Sequence, residues 1–175
     1  MIHTVQTAVL LVFPALVILG GVRDLASYRI PNWISLALAG GFAVAAAAAF
    51  AAGAPPVVLG LSLAVGAGAF VAGVAMFALG WIGGGDAKLF AAAALWVGWP
   101  GFATYLAFTG LAGGALAVLL LGLRSTAVRP FLVTGPGWIT RLAEPGESVP
   151  YGAAIAAGAL AAFPASVLVK AAVAL

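Results

Sequence analysis

Cysteine is absent from this 175-residue sequence, and histidine occurs once, at position 3. Without cysteine the chain can form neither disulfides nor thiolate metal sites, and a single histidine cannot supply a histidine-based metal cluster. The sequence also lacks a His–Glu zinc motif, a Gly-x-Ser-x-Gly motif and a histidine within reach of a serine. We therefore expect no metal and no cofactor. The sequence also lacks the residues that zinc-, cysteine- or serine-dependent hydrolysis would need.

Charged residues are also scarce. Asp, Glu, Lys and Arg make up 6% of the sequence, whereas hydrophobic residues make up 65%. A soluble domain carries roughly 25% charged residues, so this composition indicates a protein that crosses the membrane several times. The net charge of +3 is less informative than the side of the membrane on which the positive residues fall.

Long apolar runs separated by short turns predict an all-α membrane protein, a six-transmembrane-helix bundle that forms one domain over residues 1–175. The predicted spans are 5–22, 33–52, 57–80, 86–99, 102–122 and 151–175, with a cytoplasmic loop over 123–149. The fourth span is only about 21 Å long, against a core of ~30 Å, so its first residue, Asp86, is expected below the membrane surface. The competing interpretation, one kinked helix over 86–122, would be about 55 Å long and too long for one crossing.

The few charges fall on one side of this predicted topology. Six of the seven Lys and Arg residues and all four acids lie there, with Lys170 as the exception. The positive-inside rule assigns this side to the cytoplasm. The first apolar run does not have the pattern of a secretory signal, because Arg23 and Arg29 follow it instead of preceding it. We therefore expect a multi-pass membrane protein with both termini outside.

Two of the acids, Asp24 and Asp86, lie at the cytoplasmic ends of predicted helices. An acid at membrane depth costs on the order of 2.5 to 3.5 kcal/mol by insertion scales, so it is rarely placed there without a partner or a task. Two carboxylates held close together cannot both ionise cheaply. One then keeps a proton near neutral pH, as acid/base hydrolysis of a peptide requires. The simpler interpretation is that Asp86 only caps the helix after a glycine-rich turn.

Three stretches of the sequence resemble the motifs of the GxGD membrane aspartyl proteases, and among them the bacterial prepilin peptidases of the short Tad/Cpa type. They are Asp24 followed by Ile30-Pro31-Asn32, then Gly83-Gly84-Gly85-Asp86-Ala87-Lys88-Leu89, then Val149-Pro150-Tyr151-Gly152-Ala153. The resemblance implies that Asp24 and Asp86 are the catalytic pair. It also implies that the substrate is the basic leader of a type IV (Flp-like) pilin precursor, cut at the cytoplasmic face of the bacterial inner membrane.

The resemblance further implies cleavage without methyl transfer, because the sequence lacks the cysteine motif of the longer family members. Weaker candidates for substrate binding or support of the site are Gly83, Gly85, Lys88, Pro31, Asn32, Pro150 and Gly152. Lys88 can act on Asp86 or meet an acidic group of the substrate, and equally it can be a lysine that extends to the interface. The expected partners are the precursor's leader peptide, membrane lipid and the pilus-assembly machinery, with no nucleic acid.

Two other functions stay open at this point. A proton-coupled small membrane transporter would use the same acids as a proton relay, although the sequence shows no inverted repeats. A non-catalytic pilus-assembly membrane subunit would use Asp24 and Asp86 as structural caps.

Overall fold

The computed structural model describes the backbone of residues 2–132 and 134–173, and the side chains of residues 11–132 and 134–170. Within these ranges the chain is helical and contains no strand, which confirms the all-α prediction. The helices are α1 (Ile2–Ser27), α2 (Asn32–Ala51), α3 (Pro56–Ala78), α4 (Gly84–Leu123), α5 (Arg129–Leu132), α6 (Gly137–Leu142), α7 (Tyr151–Ala162) and α8 (Val167–Val173), with a 3-10 turn at Phe163–Ala165. The termini that the sequence predicts outside the membrane lie beyond the described residues.

Four helical segments in the described part of the chain are long and apolar enough to cross a membrane. They are Asn32–Ala51, Pro56–Ala78, Gly84–Leu123 and Tyr151–Lys170, of which the last joins α7 to α8. The protein is therefore a multi-pass membrane protein. The predicted count of six differs from these four because it also includes the first helix and divides α4 into two spans.

The long helix α4 is not straight. Gly98 has φ 64° and ψ −175°, a conformation that favours glycine and interrupts the helix. Tyr105 stacks on Phe90 with ring centroids 5.2 Å apart, and its hydroxyl donates to the Phe90 carbonyl oxygen at 3.1 Å. In a straight helix these two residues would lie about 22 Å apart. The chain therefore reverses at Gly98, just before the predicted break between the spans 86–99 and 102–122, and residues 84–97 and 99–123 form a helical hairpin.

Three further predictions from the sequence need correction. The first span is predicted to end at residue 22, but α1 continues to Ser27, so that Asp24 lies on a helix. The last span, predicted as one helix over 151–175, is interrupted at Phe163–Ala165, where Pro164 has no backbone donor and Ser166 is extended. The loop over 123–149 contains the short helices α5 and α6.

Small residues bring the ends of several helices together at one end of the bundle. A Cβ added to Gly21 on α1 would lie 3.0 Å from the Cβ of Ala156 on α7. A Cβ added to Gly73 on α3 would lie 3.2 Å from the Cα of Ala87 on α4. Such close approach requires glycine, since any larger residue would separate the helices. The end of α1 and the starts of α2, α4 and α7 therefore gather around one point.

Candidate active site

Asp24 lies in the last turns of α1, and its side chain is only 5% exposed. Its Oδ2 atom accepts a hydrogen bond of 2.7 Å from the backbone N–H of Gly152. Gly152 is the second residue of α7, and the first N–H groups of a helix have no partner within that helix. The carboxyl group of Asp24 thus caps a helix that is distant in the sequence, at the end where the helix dipole favours negative charge.

Asp86 is the third residue of α4, and its side chain is 7% exposed. Its Oδ2 atom accepts a hydrogen bond of 3.1 Å from the backbone N–H of Gly83, which is the helix cap predicted as the simpler interpretation. Its Oδ1 atom is also buried, but it has no hydrogen-bond partner among the described residues. Capping therefore accounts for one oxygen of Asp86. The other is free to bond to water or to a substrate.

The fold brings the two acids together. Ile30 lies between the two helix starts: its Cβ would be 3.1 Å from a Cβ added to Gly85, the residue before Asp86, and its Cδ1 would be 2.7 Å from one added to Gly152, which bonds to Asp24. The charge of Asp24 also acts on Asp86. The site thus lies where the end of α1 meets the starts of α4 and α7.

Three glycines of the predicted motifs, Gly83, Gly85 and Gly152, are closely packed at this site. A Cβ on Gly152 would lie 2.8 Å from the Cβ of Asp24, closer than real side chains pack. A Cβ on Gly83 would lie 3.1 Å from Oδ2 of Asp86. Glycine at these positions lets backbone N–H groups reach the carboxylates directly. Gly83 and Gly152 therefore lie against the two carboxyl groups and Gly85 lies against Ile30, while a supporting role of these glycines in the site stays a prediction.

The remaining predicted residues form no hydrogen bond with Asp24 or Asp86 among the described residues. Pro31 and Pro150 immediately precede α2 and α7, and each sets the direction in which its helix begins. Lys88 projects from the exposed side of α4, where its Nζ donates to the Asn32 side-chain oxygen at 2.9 Å. Among the described residues, Lys88 forms no ion pair with Asp86. The structure thus joins Lys88 to Asn32, and neither side chain bonds to Asp24 or Asp86 in the described part of the chain.

Arg124 has a structural role that the sequence analysis missed. It follows the last residue of α4 and donates three hydrogen bonds to backbone carbonyl oxygens: Nε to Leu142 at 3.0 Å, Nη1 to Glu147 at 2.8 Å and Nη2 to Ser148 at 3.1 Å. These bonds hold the segment that leads directly into Pro150 and Gly152. No pattern in the sequence reveals such a role, because every residue has a carbonyl group.

Tyr28 is a second residue near the site that the sequence did not identify. Its φ of 53° is unusual for a residue other than glycine, and its N–H bonds to the Asp24 carbonyl oxygen at 2.8 Å. This left-handed residue ends α1. Burial raises the pKa of the Tyr28 phenol, while the nearby Arg124 acts in the opposite direction. Backbone strain of this kind is often found at functional sites.

The described residues contain no group of three or more His, Asp or Glu side chains placed to hold a metal ion.

Comparison with known proteins assigns the chain to a family. Residues 11–118, which include Asp24 and Asp86, match the type IV leader peptidase family. No curated protein and no solved structure matches the chain. Because the matched range covers more than half of the sequence, the chain belongs to the type IV leader peptidase family.

Proposed function

We propose that this protein is an aspartyl endopeptidase that removes the basic leader from type IV (Flp-like) pilin precursors, with Asp24 and Asp86 as its catalytic pair. Membership of the family supports a peptidase. The observation that carries the mechanism is that two buried carboxyl groups, from helices distant in sequence, lie at adjoining helix ends, where Asp24 bonds to the Gly152 N–H and Asp86 to the Gly83 N–H. The short Tad/Cpa subtype and the pilin substrate follow from the sequence motifs.

The chemistry follows from two neighbouring carboxyl groups that share one proton. The charged carboxylate takes a proton from water, and the water oxygen attacks the carbonyl carbon of the scissile peptide bond. The protonated carboxyl donates to the carbonyl oxygen, which stabilises the tetrahedral intermediate. When the intermediate collapses and the C–N bond breaks, the first carboxyl group gives its proton to the leaving amine, and a hydroxyl group of the intermediate returns a proton to the second carboxyl group. The free Oδ1 of Asp86 is available for this exchange.

We further propose that the whole chain is one peptidase domain with six spans, and that its site faces the cytoplasm of the bacterial inner membrane. Contacts between neighbouring helical segments indicate that successive segments run in opposite directions. Residues 66 and 73 of α3 face residues 95 and 87 of α4, so these two segments are antiparallel. Residues 109 and 113, after the reversal at Gly98, face residues 158 and 154 of α7, which makes that pair antiparallel too. This order supports a crossing by each half of α4.

The experiment that tests the mechanism is cleavage of a purified pilin precursor by Asp24→Asn, Asp86→Asn and the double variant, in detergent or in lipid. Asn has the shape of Asp but cannot exchange the proton, so each single variant should lose about 10²- to 10⁴-fold in kcat. The double variant should be about as inactive as either single variant, since both groups serve one step.

The matched control is Glu144→Gln, which makes the same chemical change at an exposed acid of the loop. This variant should cleave the precursor at the wild-type rate. Thermal unfolding should show that all variants are folded. Cleavage by a folded Asp24→Asn or Asp86→Asn variant within tenfold of wild type would exclude the catalytic pair. That result would favour an assembly subunit, or a transporter that uses the same acids.

A further inference from the structure

A cleft of about 660 Å³ lies between α2, α3 and the first half of α4. We call it the α2–α4 cleft. Its walls are almost entirely apolar and include Leu36, Leu63, Phe70 and Leu95. Three polar side chains, Asn32, Ser35 and Lys88, also line it. The cleft is thus apolar along its length and polar at one end.

The position of the cleft relates it to the membrane. All three helices that line it are long and apolar enough to cross the bilayer, and Leu36 and Leu63 are exposed. The cleft therefore opens towards the hydrocarbon chains of the lipid. Lys88, Ala92 and Leu95 line it at the spacing of one helix face. Because Lys88 is one helical turn from the start of α4, the polar end lies at the membrane interface.

The positive charge of Lys88 at this end indicates which kind of molecule binds in the cleft. The Lys88 ammonium has three donors, and one of them bonds to the Asn32 side-chain oxygen. Among the described residues, Lys88 forms no ion pair with any of the acids, so its charge has no protein counter-ion. A basic peptide would be repelled here, and an uncharged helix would leave the ammonium uncompensated. A phosphate group would be attracted to the lysine, and basic pockets between membrane helices are typical sites for anionic lipid headgroups.

We propose that the α2–α4 cleft binds one anionic phospholipid, with its phosphate at Lys88 and the Asn32 amide and its acyl chains along the apolar walls. The bound lipid compensates the charge of Lys88. If the proposed function is correct, it also removes a positive charge from the region that a basic leader must approach to reach Asp86. An anionic lipid would then lower KM for the precursor and have little effect on kcat.

The test is photolabelling in nanodiscs with phosphatidylglycerol or phosphatidylcholine that carries a photoreactive group on one acyl chain, with labelled peptides identified by mass spectrometry. We expect phosphatidylglycerol to label α2 and α4 at the cleft in preference to phosphatidylcholine. Lys88→Gln should reduce this preference about fivefold, which corresponds to the ~1 kcal/mol of one lysine at an anionic surface. Lys88→Arg should retain it.

Two further variants test whether the labelling depends on the cleft itself. Arg129→Gln removes an exposed positive charge from the loop, outside the cleft, and should leave the labelling unchanged. Leu36→Trp places a larger side chain at the cleft and should reduce labelling by both lipids, without loss of folding. Equal labelling by both lipids, or an equal effect of Arg129→Gln and Lys88→Gln, would overturn the proposal. So would displacement of both lipids by the precursor to the same extent, which would assign the cleft to an apolar helix.

Labelling does not depend on catalysis, so the lipid site and the catalytic pair can be contradicted independently of each other. The Asp86→Asn variant should be labelled like the wild-type protein even though it does not cleave. If the Asp86→Asn variant cleaved the precursor, this result would contradict the catalytic pair but not the lipid site. Loss of the headgroup preference in an active wild-type protein would contradict only the lipid site.

Discussion

At the scale of single residues, Gly152 is the position at which the candidate active site has least room. Its N–H bonds to Asp24, and an added Cβ would lie 2.9 Å from Oδ2 of the same carboxylate. Gly152→Ala should therefore displace the carboxylate and lower kcat at least tenfold, measured by precursor cleavage. Gly60→Ala is the matched control, because a Cβ at Gly60 would meet nothing within 4 Å and cleavage should not change. Wild-type cleavage by Gly152→Ala would show that the Gly152 contact is dispensable.

The two acids also predict the pH dependence of the reaction. If Asp24 and Asp86 share one proton, kcat/KM should follow a bell-shaped pH profile, because one carboxyl must be charged and the other protonated. The two apparent pKa values belong to the pair and to neither residue alone. The measurement is initial cleavage rate against pH, with folding checked at each pH. A profile with a single limb across the range in which the protein is folded would argue against a shared proton.

At the scale of structural elements, Arg124 connects the end of α4 to the segment that begins α7. Arg124→Gln removes donors to three carbonyl groups, so backbone amides in residues 143–152 should exchange with deuterium at least about tenfold faster. Cleavage should fall in parallel, since Gly152 lies in the first turn of α7 and bonds to Asp24. Arg141→Gln, an exposed arginine on α6, is the control and should leave both measurements unchanged. Unaltered exchange in Arg124→Gln would mean that α7 is positioned without this arginine.

At the scale of the whole molecule, the reversal at Gly98 decides how many times the chain crosses the membrane. Reporter fusions at residues 25, 83 and 135 should report the cytoplasm, and fusions at residues 54 and 100 should report the opposite side. The physical reason is that each half of α4 runs in its own direction, as the stacking of Tyr105 on Phe90 requires. A cytoplasmic signal at residue 100, or an external signal at residue 135, would contradict the six-span topology.

The sequence by itself determined the class of the protein, and it also predicts that Asp24 and Asp86 lie on one side of the membrane. Apolar runs of this length in a chain with 6% charge must become membrane helices, because only helices satisfy their own backbone groups in lipid. Two crossings separate Asp24 from Asp86, which predicts both at one face. The helix starts at Asn32, Pro56 and Tyr151 were likewise predictable within a residue or so from proline and the change in hydrophobicity.

Only the tertiary structure decided how the site is built. The bond from the Gly152 N–H to Asp24 and the bonds from Arg124 to three carbonyl groups join residues far apart in the chain through backbone atoms. Backbone atoms are the same in every residue, so such contacts leave no pattern in the sequence. The sequence predicted a break between the spans 86–99 and 102–122, but it did not identify Gly98 as the residue that reverses the chain, since it contains many glycines that do not turn. These features depend on which helices pack together, and packing is a property of the complete fold.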